Sequence, residues 1–330
     1  MSRQLNLAVI STSRIVAEFV QHLEEMPEIS VRALCCRPQS RPKAEQWAAQ
    51  YGIPALYTDE AELLAAGGFD AVYIGTANHL HYDTARRVLE AGYSVILEKP
   101  FTPTAAEARA LFELADRKQV FLLEAITTPY LPAYRFLKEQ LSAIGPVRGA
   151  MASFCARSRR YDDYLQGIWN TTFDPACAGG ALYDMNVYNL HYLWGLLGSP
   201  TQCAYHPTRG RGGIDTAGLA VLQYPDFAAA CLASKDSDGE SGCVIQGTEG
   251  RLVLHGGTNA LEEVYSVTHS HRGGGVRTDA PRADRHRMAY EFAAFARILT
   301  EQDRAAEAEA RRRTLAVMDM IDALRANPCG

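Results

Sequence analysis

The sequence predicts an α/β protein with a doubly wound parallel sheet in its first part. Its second part is predicted to be an α+β domain with a large, mostly antiparallel open sheet. Short apolar runs alternate with helical patterns over residues 1–125, whereas residues 126–330 carry β-rich runs at hairpin spacing. The run 69–76 is almost continuously apolar, as expected for a strand covered on both faces. We therefore predict two domains, residues 1–125 and 126–330.

The alternation in the first domain predicts six strands separated by helices. The strands are predicted over residues 5–10, 29–36, 55–57, 69–76, 93–97 and 120–124. Helical patterns follow around residues 15–23 and over 41–51, 60–66 and 82–91, and a capping box of Thr104 and Glu107 opens a fifth helix. Strands that each feed a helix are typical of a parallel sheet.

The second domain is predicted to contain seven strands, over residues 147–155, 202–206, 218–224, 228–234, 243–247, 251–255 and 264–268. Turn residues separate neighbouring runs, which favours antiparallel pairing. Helices are predicted over residues 134–141, 188–197, 286–300 and 305–326. The glycine-rich, basic segment 269–285 is predicted to be a mobile loop.

Composition excludes several classes of protein. The 330 residues include 33 Lys and Arg against 38 Asp and Glu, a net charge of −5, so neither nucleic acid nor an anionic membrane is an expected partner. No run of 18 apolar residues predicts a membrane span, and the amino-terminal stretch lacks signal-peptide features. Eight cysteines without a C-x-x-C pair predict reduced thiols in the cytoplasm. The pair His269 and His271 lacks a third ligand, so no metal is predicted.

The first predicted strand runs directly into Ser11-Thr12-Ser13-Arg14-Ile15 at the start of a helix. A dinucleotide-binding fold places its glycine-rich turn here, where backbone N–H groups hold the pyrophosphate. Serines occupy the positions at which glycines are usual. Two interpretations stay open: a phosphate loop built with serines, or an ordinary turn with serine caps.

The second strand ends at Cys36-Arg37, where a site for NAD commonly carries an Asp or Glu for the ribose hydroxyls. No acid is present, and Arg37 is followed by Ser40, Arg41 and Lys43. These residues are suited to a 2′-phosphate, so NADP is predicted, with NAD as the other possibility. The alternative is a solvated basic start of the second helix.

Two polar clusters follow the fourth and fifth predicted strands. They are Thr76-Ala77-Asn78-His79-Leu80-His81 and Glu98-Lys99-Pro100. Ligands of open α/β sheets bind beyond the carboxyl ends of the strands, so both clusters are candidates for a binding site. A lysine next to a carboxylate and a proline at this edge is a stronger candidate than an isolated surface lysine.

These clusters resemble motifs of the Gfo/Idh/MocA family of NAD(P)-dependent oxidoreductases, which includes glucose–fructose oxidoreductase and inositol dehydrogenase. Glu98-Lys99-Pro100 is the family's Glu-Lys-Pro, and the segment from Thr76 to His81 is its Thr-Pro-Asn-x-x-His with Ala77 for proline. In the second domain, the segment Ala178-Gly179-Gly180-Ala181-Leu182-Tyr183-Asp184 is similar to the family's Gly-Gly-Gly-x-x-x-Asp motif. Tyr188, four residues further on, stands where histidine is common in the family. The resemblance covers essentially the whole chain. Residues 184–191 are similar to the Asp-x-Asn-x-Tyr-Asn-Leu-His signature of a little-characterised subgroup.

The resemblance implies hydride transfer between nicotinamide and a secondary alcohol carbon of a sugar, polyol or related compound. It makes the first domain dinucleotide-binding and the second substrate-binding and oligomerising, as a homodimer or homotetramer. Catalysis is implied for Lys99, Tyr188 and Asp184, which with His191 would also contact the substrate. Cofactor-binding residues are implied to be Ser11, Thr12, Ser13, Arg14, Ile15, Arg37, Thr76, Ala77, Asn78, His81, Glu98 and Lys99.

In this scheme Tyr188 accepts the hydroxyl proton. Lys99 favours the phenolate form of Tyr188, because a nearby ammonium lowers the pKa of a phenol from its usual value of about 10. Asp184 orients either Lys99 or the substrate. By analogy, the bond between Lys99 and Pro100 is expected to be cis.

Structural interpretations of the same residues remain open. Tyr188 would then be a helix aromatic facing the sheet, Asp184 the N-cap of a helix over 185–197, and His191 a core residue.

A different class of function also remains open, because the serine-containing turn departs from the usual phosphate loop. This alternative is a non-catalytic protein that binds a nucleotide or a sugar on the same fold.

Overall fold

The computed structural model describes residues 3–269 and 274–328, and the chain divides into two compact units. The first unit comprises Met1–Ala125 and Arg285–Leu315, and the second comprises Ile126–Asp284 and Ala316–Gly330. The division after residue 125 coincides with the predicted domain boundary. Residues 285–315, which the prediction placed in the second domain, belong to the first unit instead.

The first unit contains a six-stranded, fully parallel sheet with the strand order β3-β2-β1-β4-β5-β6. Its strands are β1 (Leu5–Ile10), β2 (Ile29–Cys35), β3 (Ala55–Tyr57), β4 (Ala71–Ile74), β5 (Ser94–Glu98) and β6 (Leu122–Ala125). This is the strand order of a Rossmann fold. The predicted doubly wound sheet is therefore confirmed.

Each strand of this sheet except the last is followed by a helix. The helices are α1 (Arg14–Gln21), α2 (Arg41–Tyr51), α3 (Glu60–Ala66), α4 (His81–Glu90) and α5 (Ala105–Lys118). Side chains cap three of them: Ser13 caps α1, Asp59 caps α3, and the predicted capping box of Thr104 and Glu107 opens α5. Caps of this kind satisfy the N–H groups that have no partner within the first helical turn.

A helix from near the end of the chain completes the core of the first unit. This helix, α9 (Arg287–Thr300), lies against β1 and β2. Its Phe292 ring is 4.5 Å from that of Phe19 and 5.1 Å from that of Tyr73, measured between centroids, and all three residues are fully buried. This aromatic packing explains why residues near 290 belong to the first unit, although they are far from it in sequence.

The second unit contains an eight-stranded sheet in the order β14-β13-β12-β11-β7-β10-β9-β8. Every neighbouring pair is antiparallel except β7 and β10. The strands are β7 (Val147–Cys155), β8 (Gln202–Arg209), β9 (Asp215–Gln223), β10 (Ala228–Ser234), β11 (Gly242–Gly247), β12 (Gly250–His255), β13 (Glu263–His269) and β14 (Gly275–Asp279). The predicted large, mostly antiparallel sheet is confirmed.

Strand β14 corrects the prediction for segment 269–285, which was expected to be a mobile loop. Gly275–Asp279 pairs with β13 and forms the edge of the sheet, although all five residues are exposed. Because no residue of this strand is buried, it lacks the alternation on which strand prediction depends. His271 of the predicted His269 and His271 pair lies outside the described residues.

The remaining helices are α6 (Pro132–Gln140), α7 (Tyr161–Leu165), α8 (Val187–Leu197) and α10 (Arg304–Ala326). A π-helical segment, Leu182–Asn186, leads directly into α8. None of the helices in the described part of the chain is long and apolar enough to cross a membrane. Over residues 3–269 and 274–328, no cluster of three metal-ligating side chains occurs and all seven cysteines are free thiols.

The two faces of the eight-stranded sheet differ. One face holds buried side chains such as Ala220, Cys231 and Ile245. The other, which we call the open sheet face, carries Met151, Leu219, Val221, Ala230 and Leu232, brought together by the pairing of β7, β9 and β10. Met151 is 72% exposed and Leu232 is 43% exposed. An apolar surface of this kind on the middle strands of a sheet is typical of an interaction surface.

Glycine at position 75 allows the start of α1 to approach the end of β4. A Cβ atom at this position would lie 2.6 Å from Cγ2 of Val16 and 3.5 Å from Oγ of Ser13. Val16 is fully buried, so its side chain cannot move aside without disturbing the core. The packing of α1 on the sheet therefore requires glycine here.

We predict that Gly75→Ala lowers the free energy of unfolding by about 1–3 kcal/mol, the usual cost of overpacking a core. The matched control is Gly149→Ala, where the nearest atom to the new Cβ would be 3.8 Å away. Chemical denaturation of both variants measures the difference. Equal stability of the two variants would contradict the proposed steric role of Gly75.

Candidate active site

The order of strands in the first unit reverses between β1 and β4, which is the point at which such sheets bind ligands. The serine turn lies directly after β1. Ser11 adopts φ +114°, a backbone conformation that residues other than glycine rarely take. Its Oγ accepts a hydrogen bond of 3.0 Å from the Ser13 N–H, and Ser13 Oγ caps α1 by accepting from the Val16 N–H. The turn thus has a glycine-like backbone although it contains no glycine.

Basic side chains follow β2 at the same edge of the sheet. Lys43 donates a hydrogen bond of 2.8 Å to the Thr12 carbonyl oxygen, and its ammonium lies 4.6 Å from the centre of the Trp47 ring. Arg41 forms an ion pair with Glu45, whereas Arg37 is exposed just before α2. Of the basic residues predicted here, Lys43 therefore stabilises the serine turn, and Arg37 is exposed to solvent.

The end of β4 carries Thr76, whose Oγ1 atom is buried and has no hydrogen-bond partner among the described residues. The neighbouring Ala77 and Asn78 are partly exposed. His81, by contrast, is fully buried. Its Nδ1 is 2.9 Å from the Pro100 carbonyl oxygen and its Nε2 is 3.1 Å from that of Thr76. His81 therefore joins the segment after β4 to the segment after β5 and is not exposed for direct contact with a ligand.

The end of β5 carries Glu98, which is only 5% exposed, and then Lys99, which is partly exposed. Glu98 accepts a hydrogen bond of 2.7 Å from the Tyr73 hydroxyl and one of 3.2 Å from the Lys99 N–H. Burial raises the pKa of the Glu98 carboxyl to about 7 and lowers the pKa of His81. The Lys99–Pro100 bond is cis, as expected. Glu98 and His81 thus hold the backbone on both sides of Lys99.

In the second unit, the glycine motif before Asp184 is explained by close approaches of the backbone. A Cβ atom on Gly179 would lie 2.6 Å from the Thr172 carbonyl oxygen. One on Gly180, which has φ +99°, would lie 1.9 Å from Oδ1 of Asp215. Asp215 also accepts hydrogen bonds from the Leu182 N–H (2.8 Å) and the Tyr205 hydroxyl (2.6 Å). The glycines and Asp215 together fix the start of the π-helical segment.

Two buried asparagines of the 184–191 signature attach this segment and α8 to the sheet. Asn186 donates to the carbonyl oxygen of Cys231, at 3.3 Å, and Asn189 donates to that of Leu232, at 3.2 Å. Asn189 also donates to Oδ1 of Asn186. Both side chains are fully buried, so these bonds are shielded from water.

Asp184 and Tyr188 lie four residues apart on this continuous helical stretch, so their side chains project from the same side. Asp184 does not cap a helix over 185–197, as one interpretation expected, because helical structure already begins before it. Tyr188 is 7% exposed, and its ring centroid is 5.8 Å from that of Phe154. His191 is 1% exposed, and its contact with the substrate stays a prediction.

Asp184 forms an ion pair with Lys235, a residue that the sequence analysis did not single out. Lys235 follows β10 and its side chain is 2% exposed, whereas that of Asp184 is 39% exposed. The Lys235 ammonium also lies 5.7 Å from the centre of the Phe173 ring. The sequence signal for Lys235 was a lysine directly after an apolar strand, which is ordinarily a solvated position.

The first unit has the features that a nicotinamide dinucleotide requires. The N-terminus of α1 follows β1 through a turn with a glycine-like backbone, Gly75 lets that helix approach β4, and a buried hydroxyl of Thr76 lacks a partner among the described residues. The end of β2 carries the exposed Arg37 and no carboxylate within residues 33–43. The turn, Gly75 and Thr76 fit a pyrophosphate at the helix N-terminus. The exposed Arg37 without a nearby carboxylate fits a 2′-phosphate.

Comparison with protein-family models gives two matches. Residues 5–125 match an oxidoreductase family with an NAD-binding Rossmann fold, Gfo/Idh/MocA, and residues 135–253 match a C-terminal domain of the same family. Together these matches cover most of the chain.

Similar proteins are found among both curated sequences and solved structures. The chain is 29% identical to scyllo-inositol 2-dehydrogenase (NADP+) IolU of Bacillus subtilis (strain 168), over 97% of this chain and 96% of that one. It is 31% identical to the uncharacterised oxidoreductase YgjR of Escherichia coli (strain K12), over 90% and 89%.

The structure of KijD10, a 3-ketoreductase from Actinomadura kijaniata, has the same fold. The TM-score is 0.86 at 23% identity, over 99% of this chain and 98% of that one. On the two family matches and the identity to curated oxidoreductases, the chain belongs to the Gfo/Idh/MocA family of NAD(P)-dependent oxidoreductases.

Proposed function

We propose that the protein is an NADP-preferring dehydrogenase or reductase that acts on a secondary alcohol group of a sugar or polyol. The observation that carries the proposal is the helical stretch that presents Asp184 and Tyr188 on one side, because it supplies a carboxylate and a phenol in fixed register. The similarity to a scyllo-inositol dehydrogenase that uses NADP+ supports the substrate class and the cofactor.

In the proposed reaction, the alcohol loses a hydride from carbon and a proton from oxygen. A nicotinamide cofactor held by the first unit would supply the hydride acceptor. Tyr188 accepts the proton as its phenolate, and Lys99 contributes the positive charge that favours this form. Asp184 orients the substrate hydroxyl through its partly exposed carboxylate. In the reverse direction, Tyr188 returns the proton to the carbonyl oxygen.

The role proposed for Lys99 is supported by the way its backbone is held. Glu98, Tyr73 and His81 are all buried, and their hydrogen bonds constrain the residues immediately before and after Lys99. Lys99 is partly exposed, whereas Glu98 and Pro100 on either side of it are buried. A lysine whose backbone is held rigidly is suited to fixed electrostatic stabilisation.

The alternative function, a protein that binds a nucleotide or sugar without turnover, is favoured by the serines at positions 11 and 13. Their conformation weakens this argument, because Ser11 adopts the positive φ that the usual glycine would provide. A product assay with NADP+ across inositols and pyranose sugars separates the two functions. Binding without product formation over the whole panel would favour the non-catalytic protein.

We also propose that the protein forms a homodimer through the open sheet face. This face is apolar and partly exposed on the middle strands, and a second copy would bury Met151 and Leu232. Sheet faces that pack on each other bury their apolar side chains at about 10 Å separation. A tetramer and a location in the cytoplasm stay predictions of the sequence.

We predict that Tyr188→Phe lowers kcat by about 100- to 10,000-fold, the usual contribution of a general acid–base group. The ring contact with Phe154 is retained, so NADPH binding should not change. Turnover of scyllo-inositol with NADP+, followed at the nicotinamide absorbance, measures the effect. Tyr134→Phe is the matched control, since it removes a buried hydroxyl of the same unit outside this site. A Tyr188→Phe variant with more than half of the wild-type kcat would contradict the role.

We predict that Arg37→Ala weakens NADPH binding about tenfold or more and leaves NADH binding nearly unchanged. A charge-assisted hydrogen bond contributes about 1.5–3 kcal/mol, and only NADPH carries the 2′-phosphate. Titrations followed by nicotinamide fluorescence compare the two cofactors. Arg86→Ala, which removes an exposed arginine on α4, controls for the loss of surface charge. Equal loss of affinity for both cofactors would show that Arg37 does not contact the 2′-phosphate.

We predict that Met151→Lys combined with Leu232→Lys converts the protein into a 36.2 kDa monomer. Two ammonium groups on the open sheet face would have to be desolvated in a dimer. Size-exclusion chromatography with light scattering at micromolar concentration measures the mass. The control is Val276→Lys, which changes a residue that is 59% exposed on the opposite side of the sheet. A dimeric double variant, or a monomeric wild-type protein, would exclude this interface.

A further inference from the structure

We propose that Lys235 is a positioning residue for the reaction, holding the Asp184 carboxylate ionised and aimed toward the substrate. This inference rests on the proposed function and adds to it a residue outside the motifs Glu98-Lys99-Pro100 and 178–188. The geometry that supports it lies entirely within the second unit. The Lys235 ammonium contacts Oδ2 of Asp184, and Asp184 precedes Tyr188 by four residues.

The burial of Lys235 is the first step of the argument. Its side chain is 2% exposed, and a lysine is rarely buried unless an anion is paired with it. The backbone around it is fixed, because its N–H donates to the Thr216 carbonyl oxygen and its carbonyl accepts from the Ser158 N–H. The ammonium therefore occupies a defined position, and Asp184 is the carboxylate that contacts it directly.

The asymmetry of the pair is the second step. The Asp184 side chain is 39% exposed, whereas Lys235 is almost completely buried. The ammonium contacts Oδ2 of this carboxylate, and part of the Asp184 side chain remains exposed. A purely structural ion pair would not require one partner to stay accessible. The exposed part of Asp184 is where a substrate hydroxyl would approach the carboxylate.

Other charged groups around Lys235 do not replace Asp184. Asp215, on β9, is the second carboxylate whose charge interacts with Lys235, but it accepts hydrogen bonds from Tyr205 and the Leu182 N–H. Burial raises the pKa of Asp215. Asp236 accepts hydrogen bonds from Ser234 and Ser237. Phe173, whose ring face lies under the Lys235 ammonium, carries no charge.

The test compares Lys235→Met with the wild-type protein over the full chain. Methionine keeps an unbranched apolar stem but is one atom shorter than lysine and carries no charge, and the partly exposed Asp184 carboxylate can be hydrated once the ammonium is lost. We expect kcat for scyllo-inositol with NADP+ to fall about 10- to 100-fold, as when partners that orient functional groups are removed. The KM for NADP+ should change less than twofold. The acid limb of the pH profile of kcat should move to higher pH, because loss of the ammonium raises the Asp184 pKa.

A second readout does not depend on turnover. NMR titration of protein labelled with ¹³C at the aspartate side chain, with the Asp184 signal assigned through Asp184→Asn, should show a higher Asp184 pKa in Lys235→Met. If the wild-type protein turns over no sugar or polyol, the proposed function fails while this titration still tests the pair. Tyr134→Phe should leave the Asp184 titration and the pH profile unchanged.

The inference is overturned if Lys235→Met leaves the Asp184 pKa and the acid limb in place, whether or not kcat falls. Should Lys235→Met not fold, Lys235→Gln, which keeps a polar end group, is measured by the same two readouts. If neither variant folds, Lys235 is a structural residue and the inference is wrong.

Discussion

The second unit depends on hydrogen bonds that two buried asparagines donate to the sheet. Asn186 and Asn189 reach carbonyl oxygens of β10, and Thr258 in turn donates to Asn189. A buried amide that lost these partners would cost about 1–3 kcal/mol, so alternative positions of α8 are disfavoured. The orientation of this helix decides where Asp184 and Tyr188 point. The same bonds therefore stabilise the fold and set the geometry of the proposed catalytic groups.

The first unit uses the same physical device with different residues. His81 contacts carbonyl oxygens on the segments that follow β4 and β5, and Tyr73 donates to Glu98 at the end of β5. All three side chains are buried, so their hydrogen bonds are strong and costly to break. In each unit one residue proposed to act on ligands, Lys99 or Asp184, is partly exposed, whereas the groups that hold its segment in place are buried.

Much of this arrangement could be predicted from the sequence, because strand order and motif position follow local patterns. The apolar run through β4 and the capping box of α5 are local signals, and both elements are present. The packing of Phe292 against Phe19 joins residues 273 positions apart, and no local pattern reports it. Lys235 and Asp215 were missed for a related reason. Each lies at a strand end remote from the motif it serves, and a lone charged residue there resembles an ordinary solvated one.

The serine turn shows how a departure from a motif can preserve its geometry. Glycines are favoured after β1 because they allow positive φ and leave room for a phosphate. Ser11 takes the positive φ itself, and its hydroxyl accepts from the Ser13 N–H, which offsets part of the conformational cost. Lys43 adds a hydrogen bond to the Thr12 carbonyl from outside the turn. The close approach that a second glycine would ordinarily permit is instead provided at Gly75, on the neighbouring strand. Backbone shape and helix position are therefore both maintained, and the serines differ from glycines mainly in their hydroxyls, which accept from the N–H groups of Ser13 and Val16.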